Sequence, residues 1–220
     1  MVTETLRDAE KRGIRTGEED LLSSALESLH QLNERSLTVL QKIALGQAAE
    51  GSKFLASLAP NFRELDARAL ANIARQPFLL MDFAFGKPKV LGDLLTRAPP
   101  PLRFPSPRGL LPATDAAGLA RGALIQAQTI CRHHPAHAGV LLGLDPSLND
   151  QIAKLRLPDL ERIAEDNSHH LRPRWESRLD VWRRLLSADV AFDPDARYQF
   201  RLYGMQLMAG DAAEKSRELR

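Results

Sequence analysis

Leu155-Arg-Leu-Pro-Asp-Leu-Glu-Arg-Ile-Ala-Glu-Asp-Asn167 stands ninety positions downstream of a near copy, Leu65-Asp-Ala-Arg-Ala-Leu-Ala-Asn-Ile-Ala-Arg-Gln76. Sliding one on the other pairs Leu65 with Leu155, Leu70 with Leu160, Ile73 with Ile163 and Ala74 with Ala164. The register runs backwards without a gap, so that Ser57-Leu58 lies over Ser147-Leu148 and Phe62 over Ile152. Six of the twenty-two positions from Lys53 to Ala74 are identical, and the shared apolar positions fall at helical spacing. A period near ninety is too long for a solenoid and reads as two copies of one small domain.

Each copy predicts a short helix, a tight break and a second short helix. In the first copy these are Ser52 to Leu58 and Asp66 to Arg75; in the second, Pro146 to Lys154 and Pro158 to Asn167. Asp145-Pro146 reads as an N-cap followed by proline at the first helical position, where its missing N–H costs nothing. Such a pair is the build of a helix-turn-helix, and equally of a plain helical hairpin buried in a core.

Around this pair the chain divides into a mobile N-terminus (1–15), a first unit (16–97), a linker (98–114), a second unit (115–208) and a charged tail (209–220). Thr16-Gly-Glu-Glu19 has capping-box spacing and is expected to open the longest helix. Leu22, Ala25, Leu29, Leu32, Ser36, Val39 and Ile43 then alternate by threes and fours. Leu26, Leu37 and Leu40 widen that stripe beyond one partner helix, so residues 20–45 are expected to serve both a core and a homo-oligomer contact. Gly46 is the stop. Pro77 to Phe85 is apolar except for Asp82 and reads as a strand or extended segment, and Val90 to Leu95 as a short helix. Six of the fourteen prolines stand at 99, 100, 101, 105, 107 and 112, which predicts a semi-rigid spacer holding two units apart. Asp115 is expected to cap the next helix and Pro135 to end it. Ala196 to Met208 reads as one more packed segment. The expected fold class is all-α: two tandem small helical domains, each a long helix plus a helix-turn-helix-like pair, joined by the proline-rich linker.

The 220 residues carry 30 basic and 28 acidic side chains, a weak footprint for nucleic acid, and the small positive excess belongs to the half after Arg97. Cys131 is the lone cysteine, which excludes an intramolecular disulfide and suits a reducing compartment. The charged N-terminus lacks an apolar signal core and no run could span a bilayer, so a cytoplasmic protein without membrane contact is expected. No nucleophile motif, phosphate-cradling glycine loop or framed carboxylate pair is present, so no enzyme is expected. Cys131-Arg-His-His-Pro-Ala-His137 is the one metal-like constellation. Pro135 breaks the helical face that would align His133 with His137, and no acidic ligand lies nearby in sequence, so neither metal nor cofactor is expected.

Arg172 to Leu186 reads as a helix with Trp175, Leu179, Trp182 and Leu186 on one face. Arg172, Arg174, Arg178, Arg183 and Arg184 then face away and outnumber Glu176 and Asp180. They form either a phosphate-contacting patch or a solvated face partly neutralised by Asp180 and Arg184.

Two stretches of the first half, Leu29-His-Gln-Leu-Asn-Glu-Arg-Ser-Leu37 and Leu65 through Phe85, resemble the FlhD family, one subunit of the flagellar master transcription regulator. In the second half Val140-Leu-Leu-Gly-Leu-Asp-Pro-Ser-Leu148 and Leu157 through Asn167 are more similar still. The similarity covers roughly residues 25–97 and 117–187, and departs from the family in being a tandem copy of a domain that ordinarily dimerises. What the resemblance implies is a DNA-binding regulator of flagellar or transfer genes that works on promoter DNA with a FlhC-like, zinc-carrying partner. Its candidate DNA contacts are Arg68, Asn72 and Arg75 in one copy, Arg156, Arg162 and Asn167 in the other, and Arg172, Arg174 and Arg178 of the arginine-rich run. Leu22, Leu29, Leu32, Val39, Trp175 and Trp182 are the expected partner interface. Acidic residues in the same helices (Asp66, Asp159, Glu161, Glu165, Asp166) repel phosphate and favour the alternative, an adaptor or anti-activator that binds such a partner without touching DNA.

Overall fold

A computed structural model describes residues 2–46, 52–96 and 109–218, with side chains in 20–46, 52–96 and 109–213. The fold is all-α, with one two-stranded sheet among the described residues, and no described helix is long and apolar enough to cross a membrane. Helix α1 (Val2–Leu45) is followed by α2 (Lys53–Arg63), α3 (Ala67–Ala74), strand β1 (Met81–Phe83) and α4 (Pro88–Thr96). After the linker come α5 (Ala113–His133), α6 (Ala138–Leu142), α7 (Asn149–Lys154), α8 (Leu157–Asn167), β2 (Leu171–Pro173) and α9 (Leu179–Leu185). Helices α10 (Ala188–Phe192) and α11 (Pro194–Glu218) close the order. Its local punctuation follows the side chains: Ser52 and Asp66 cap α2 and α3, Gly46 lies just past α1, and Pro135 starts a short 3₁₀ turn where α5 ends.

The ninety-residue offset carries through the elements. Helix, helix pair, strand and helix in the first half recur as α5, α7–α8, β2 and α9 in the second. The two strands pair antiparallel, Met81 with Pro173, Asp82 with Arg172 and Phe83 with Leu171. Asp82 therefore faces its own counterpart ninety positions on, which is the register that a two-fold axis through that pair imposes. Leu80 extends the ladder by accepting the Arg174 N–H at 2.8 Å.

The halves do not keep separate cores. One continuous buried cluster runs from Ala25, Leu29, Leu37 and Leu40 of α1 through Leu119, Ala123, Leu124 and Ile130 of α5 to Trp182 and Phe200. Helix α1 packs on α2 and α3 of its own half and on α5 of the other, so its wide apolar stripe is used twice within one chain. Gly118 and Gly122 of α5 lie under Arg35 and Leu32 of α1; a Cβ on Gly122 would stand 2.9 Å from a Leu32 methyl. The spacer prolines from 99 to 107 lie outside the described residues.

Several boundaries differ from the sequence reading. Helix α1 begins at Val2 rather than at the Thr16–Glu19 box, so residues expected to be mobile belong to its backbone. Pro112, not Asp115, stands at the N-cap of α5, and α11 runs on through the stretch read as a tail. The Arg172–Leu186 helix is replaced by β2, a turn and then α9, because Trp175 takes a left-handed backbone (φ 56°) that no α-helix continues.

Candidate nucleic-acid interface

The two helices proposed to read DNA present unlike surfaces. On α3, Leu70, Ile73 and Ala74 are buried while Arg68 and Arg75 are exposed on one side, seven positions apart. Asn72 is committed elsewhere, its amide donating to the Ala191 carbonyl of α10 at 3.1 Å. On α8 the outward residues are mainly acidic: Glu161, Glu165 and Asp166 stand beside Arg162. Arg156 is exposed and turned back on Asp159 (3.3 Å), Asn167 donates to the Ile163 carbonyl, and Glu161 meets Arg121 of α5 at 3.6 Å. One copy thus shows a basic edge and the other an acidic one.

The arginine-rich run divides in the same way. Arg172 is exposed beside Glu176 (3.8 Å), and Arg178 is exposed at the N-cap of α9. Arg174 is not on the surface: its side chain is 7% exposed, which corrects its placement among phosphate contacts. Its Nε donates to the Leu79 carbonyl at 2.9 Å and its Nη2 to the Leu142 carbonyl at 2.7 Å, while Asp82 lies 3.7 Å away. Burial pushes the guanidinium pKa down, and Asp82 and Asp211 oppose that shift. Gly143, at φ 68°, has no Cβ because one would stand 2.6 Å from Arg174 Nη1. Arg174 therefore ties the β1 approach to the end of α6. It also lines an apolar cleft of about 400 Å³ between α6, α11 and the Phe85–Pro88 turn.

The expected partner interface is largely interior. Leu29 and Trp182 are fully buried within the chain, which corrects their assignment to the partner interface; Leu22, Leu32, Val39 and Trp175 are partly covered. Trp182 donates through Nε1 to the Arg174 carbonyl and meets Phe54 edge to face. Trp175 donates to Asp211 at 2.9 Å and packs on Phe78. At the histidine tip, His133 and His137 are exposed while Cys131 is buried, its thiol pushed up to about 11 by desolvation. Among the described residues no group of three or more His, Cys, Asp or Glu side chains is placed to hold a metal ion.

A cluster that the sequence did not single out forms where α3, α10 and α11 meet. Arg201 of α11 donates through Nε to the Arg75 carbonyl at 3.1 Å. Arg197, one turn earlier, donates through Nε and Nη2 to the Val190 and Ala191 carbonyls at 3.2 and 3.3 Å. Both guanidinium groups thus satisfy carbonyls at helix C-termini, where the dipole favours a cation. Partial burial, with Arg197 and Arg75 close by, holds Arg201 below the ordinary guanidinium value. Arg201 and Arg75, after burial, help to keep His30 of α1 below the ordinary imidazole value. Among the described residues none of the three arginines has a carboxylate within 4.0 Å. The helix spacing of Arg197 and Arg201 was readable; their convergence with Arg75, more than a hundred positions away, was not.

Neither models of known protein families, nor curated proteins, nor solved structures return a match to this chain.

Proposed function

We propose that this chain is a DNA-binding regulatory subunit of the FlhD type. In this reading it acts on promoter DNA with a FlhC-like partner, controlling flagellar or conjugative-transfer genes. The observation that carries the reading is the self-paired register at Asp82 and Arg172. Together with the repeated element order, it gives one chain the internal two-fold relation that a dimerising FlhD-like domain would otherwise obtain from two. The partner supplies base reading, since α8 presents acid and Asn72 and Asn167 are engaged within the chain.

Those same engaged side chains favour a second reading, an adaptor or anti-activator that holds such a partner away from DNA. Affinity purification of the tagged chain from its native cell, with mass spectrometry of the co-purifying proteins, tests both. Recovery of a FlhC-like protein is the expected result, and a gel shift with the recovered complex then separates activator from anti-activator. Recovery of unrelated proteins, or of the chain alone, sinks the family reading.

A further inference from the structure

We infer that Arg75, Arg197 and Arg201 form a phosphate-binding site for a nucleic-acid backbone, an inference that rests on the regulator reading above. Three features single this cluster out. First, its charges have no carboxylate partner: Arg201 is bonded to the Arg75 carbonyl one turn from Arg197, and no carboxylate lies within 4.0 Å of the three guanidinium groups among the described residues. Glu27 stands beside His30 at 3.9 Å, and Asp193 accepts the Asp195 N–H at 2.9 Å. Gathering like charges is unfavourable without an anion, and such locally inconsistent places mark functional sites.

Second, the site is preorganised. The bonds to the Val190, Ala191 and Arg75 carbonyls anchor one edge of Arg197 and of Arg201. Arg197 Nη1 and both terminal nitrogens of Arg201 make none of these bonds, and Arg75 sits exposed beside them. A planar fork already fixed in place suits bidentate contact with phosphate oxygens and loses little side-chain entropy on binding. Third, Arg68 continues the row along the exposed side of α3, whereas the matching face of α8 is acidic. A one-sided row of charge suits a backbone of repeating phosphates. It positions the duplex without reading sequence.

The test titrates the full chain with a fluorescent random-sequence duplex, from about 50 to 200 mM salt. Wild type is expected to bind with a steep salt dependence. Arg75→Gln, at a side chain that makes no hydrogen bond or ion pair among the described residues, is expected to reduce the log–log slope by about 0.9. The loss of affinity across that salt range should then shrink about 3.5-fold. Arg75→Lys keeps the slope and loses affinity, while Arg201→Gln flattens it as Arg75→Gln does, with circular dichroism checking its fold. An unchanged slope in Arg75→Gln overturns the site, as does wild type that ignores duplex or prefers poly-glutamate. Co-purification of a FlhC-like protein would survive either result, so failure of this site and failure of the proposed function are distinguishable.

Discussion

Asn33 and Arg174 show how much one buried polar side chain can hold. Asn33, fully buried on α1, donates to the Ala74 and Phe78 carbonyls at 3.2 and 2.9 Å and accepts the Leu80 N–H at 2.9 Å. It pins the segment between α3 and β1, so Asn33→Ala leaves the Phe78 carbonyl and the Leu80 N–H without partners, while the Ala74 carbonyl keeps the Gln76 N–H at 2.8 Å. A loss of about 2–3 kcal/mol in urea denaturation is expected. Arg174→Ala strands the Leu79 and Leu142 carbonyls and leaves Asp82 unbalanced, for a loss of about 3–5 kcal/mol. The histidines act through pH. Burial comes first among the causes that hold His30, His169 and His170 below 6.5. The unfolded chain therefore binds more protons in that window, and stability is lost as pH falls through and below about 6.5. Thermal unfolding should show a midpoint falling from pH 7.5 to 5.5, with a shallower fall in a triple His→Asn variant. The role of Asn33 was not legible, since an asparagine within an apolar helix stripe carries no sign of which carbonyls it will meet. Nor was that of Arg174: it lies one residue past β2, two positions from the exposed Arg172, and it is the end of α6 at Gly143, with Met208 of α11 alongside, that closes over it.

At the scale of elements, periodicity located the helices better than it located their ends. The α2–α3 and α7–α8 pairs fall close to where the repeat put them, because each amphipathic stripe and each Asp, Ser or Pro cap is a local property. The long arginine-rich helix failed because an apolar i, i+4, i+7 pattern does not exclude a strand and a turn when one residue takes a left-handed conformation. Helix α11 illustrates a contest of local and tertiary terms. Gly204 lies inside it, and alanine there would gain about 1 kcal/mol of helix propensity. A Cβ at that position, however, would stand 2.2 Å from the ring of Phe78, which is fully buried and packs edge to face on Trp175. Overpacking costs about 1–3 kcal/mol, so Gly204→Ala should lower the unfolding midpoint in calorimetry. A rise would mean that Phe78 moves freely.

Over the whole molecule, the two halves share one buried core, because α1 packs on α5 and β1 pairs with β2. A fragment of residues 1–97 alone would expose the α5-facing side of α1 and an unpaired strand edge. It is expected to be unfolded or aggregated by circular dichroism and light scattering, and to fold when co-expressed with residues 109–220. A monomeric, fully helical 1–97 fragment would show instead that the halves are independent domains. The sequence by itself determined the helical class, the ninety-residue offset between similar stretches and most caps and breaks, since these rest on spacing and side-chain chemistry within each stretch. Only the tertiary structure decided that the duplicated halves close on each other around Asp82 and Arg172, that Arg174 lies inside, and that Arg75 joins Arg197 and Arg201. Those outcomes depend on which surfaces meet across a hundred residues or so of chain, and the free energy of that meeting belongs to pairs of distant segments, not to either segment alone.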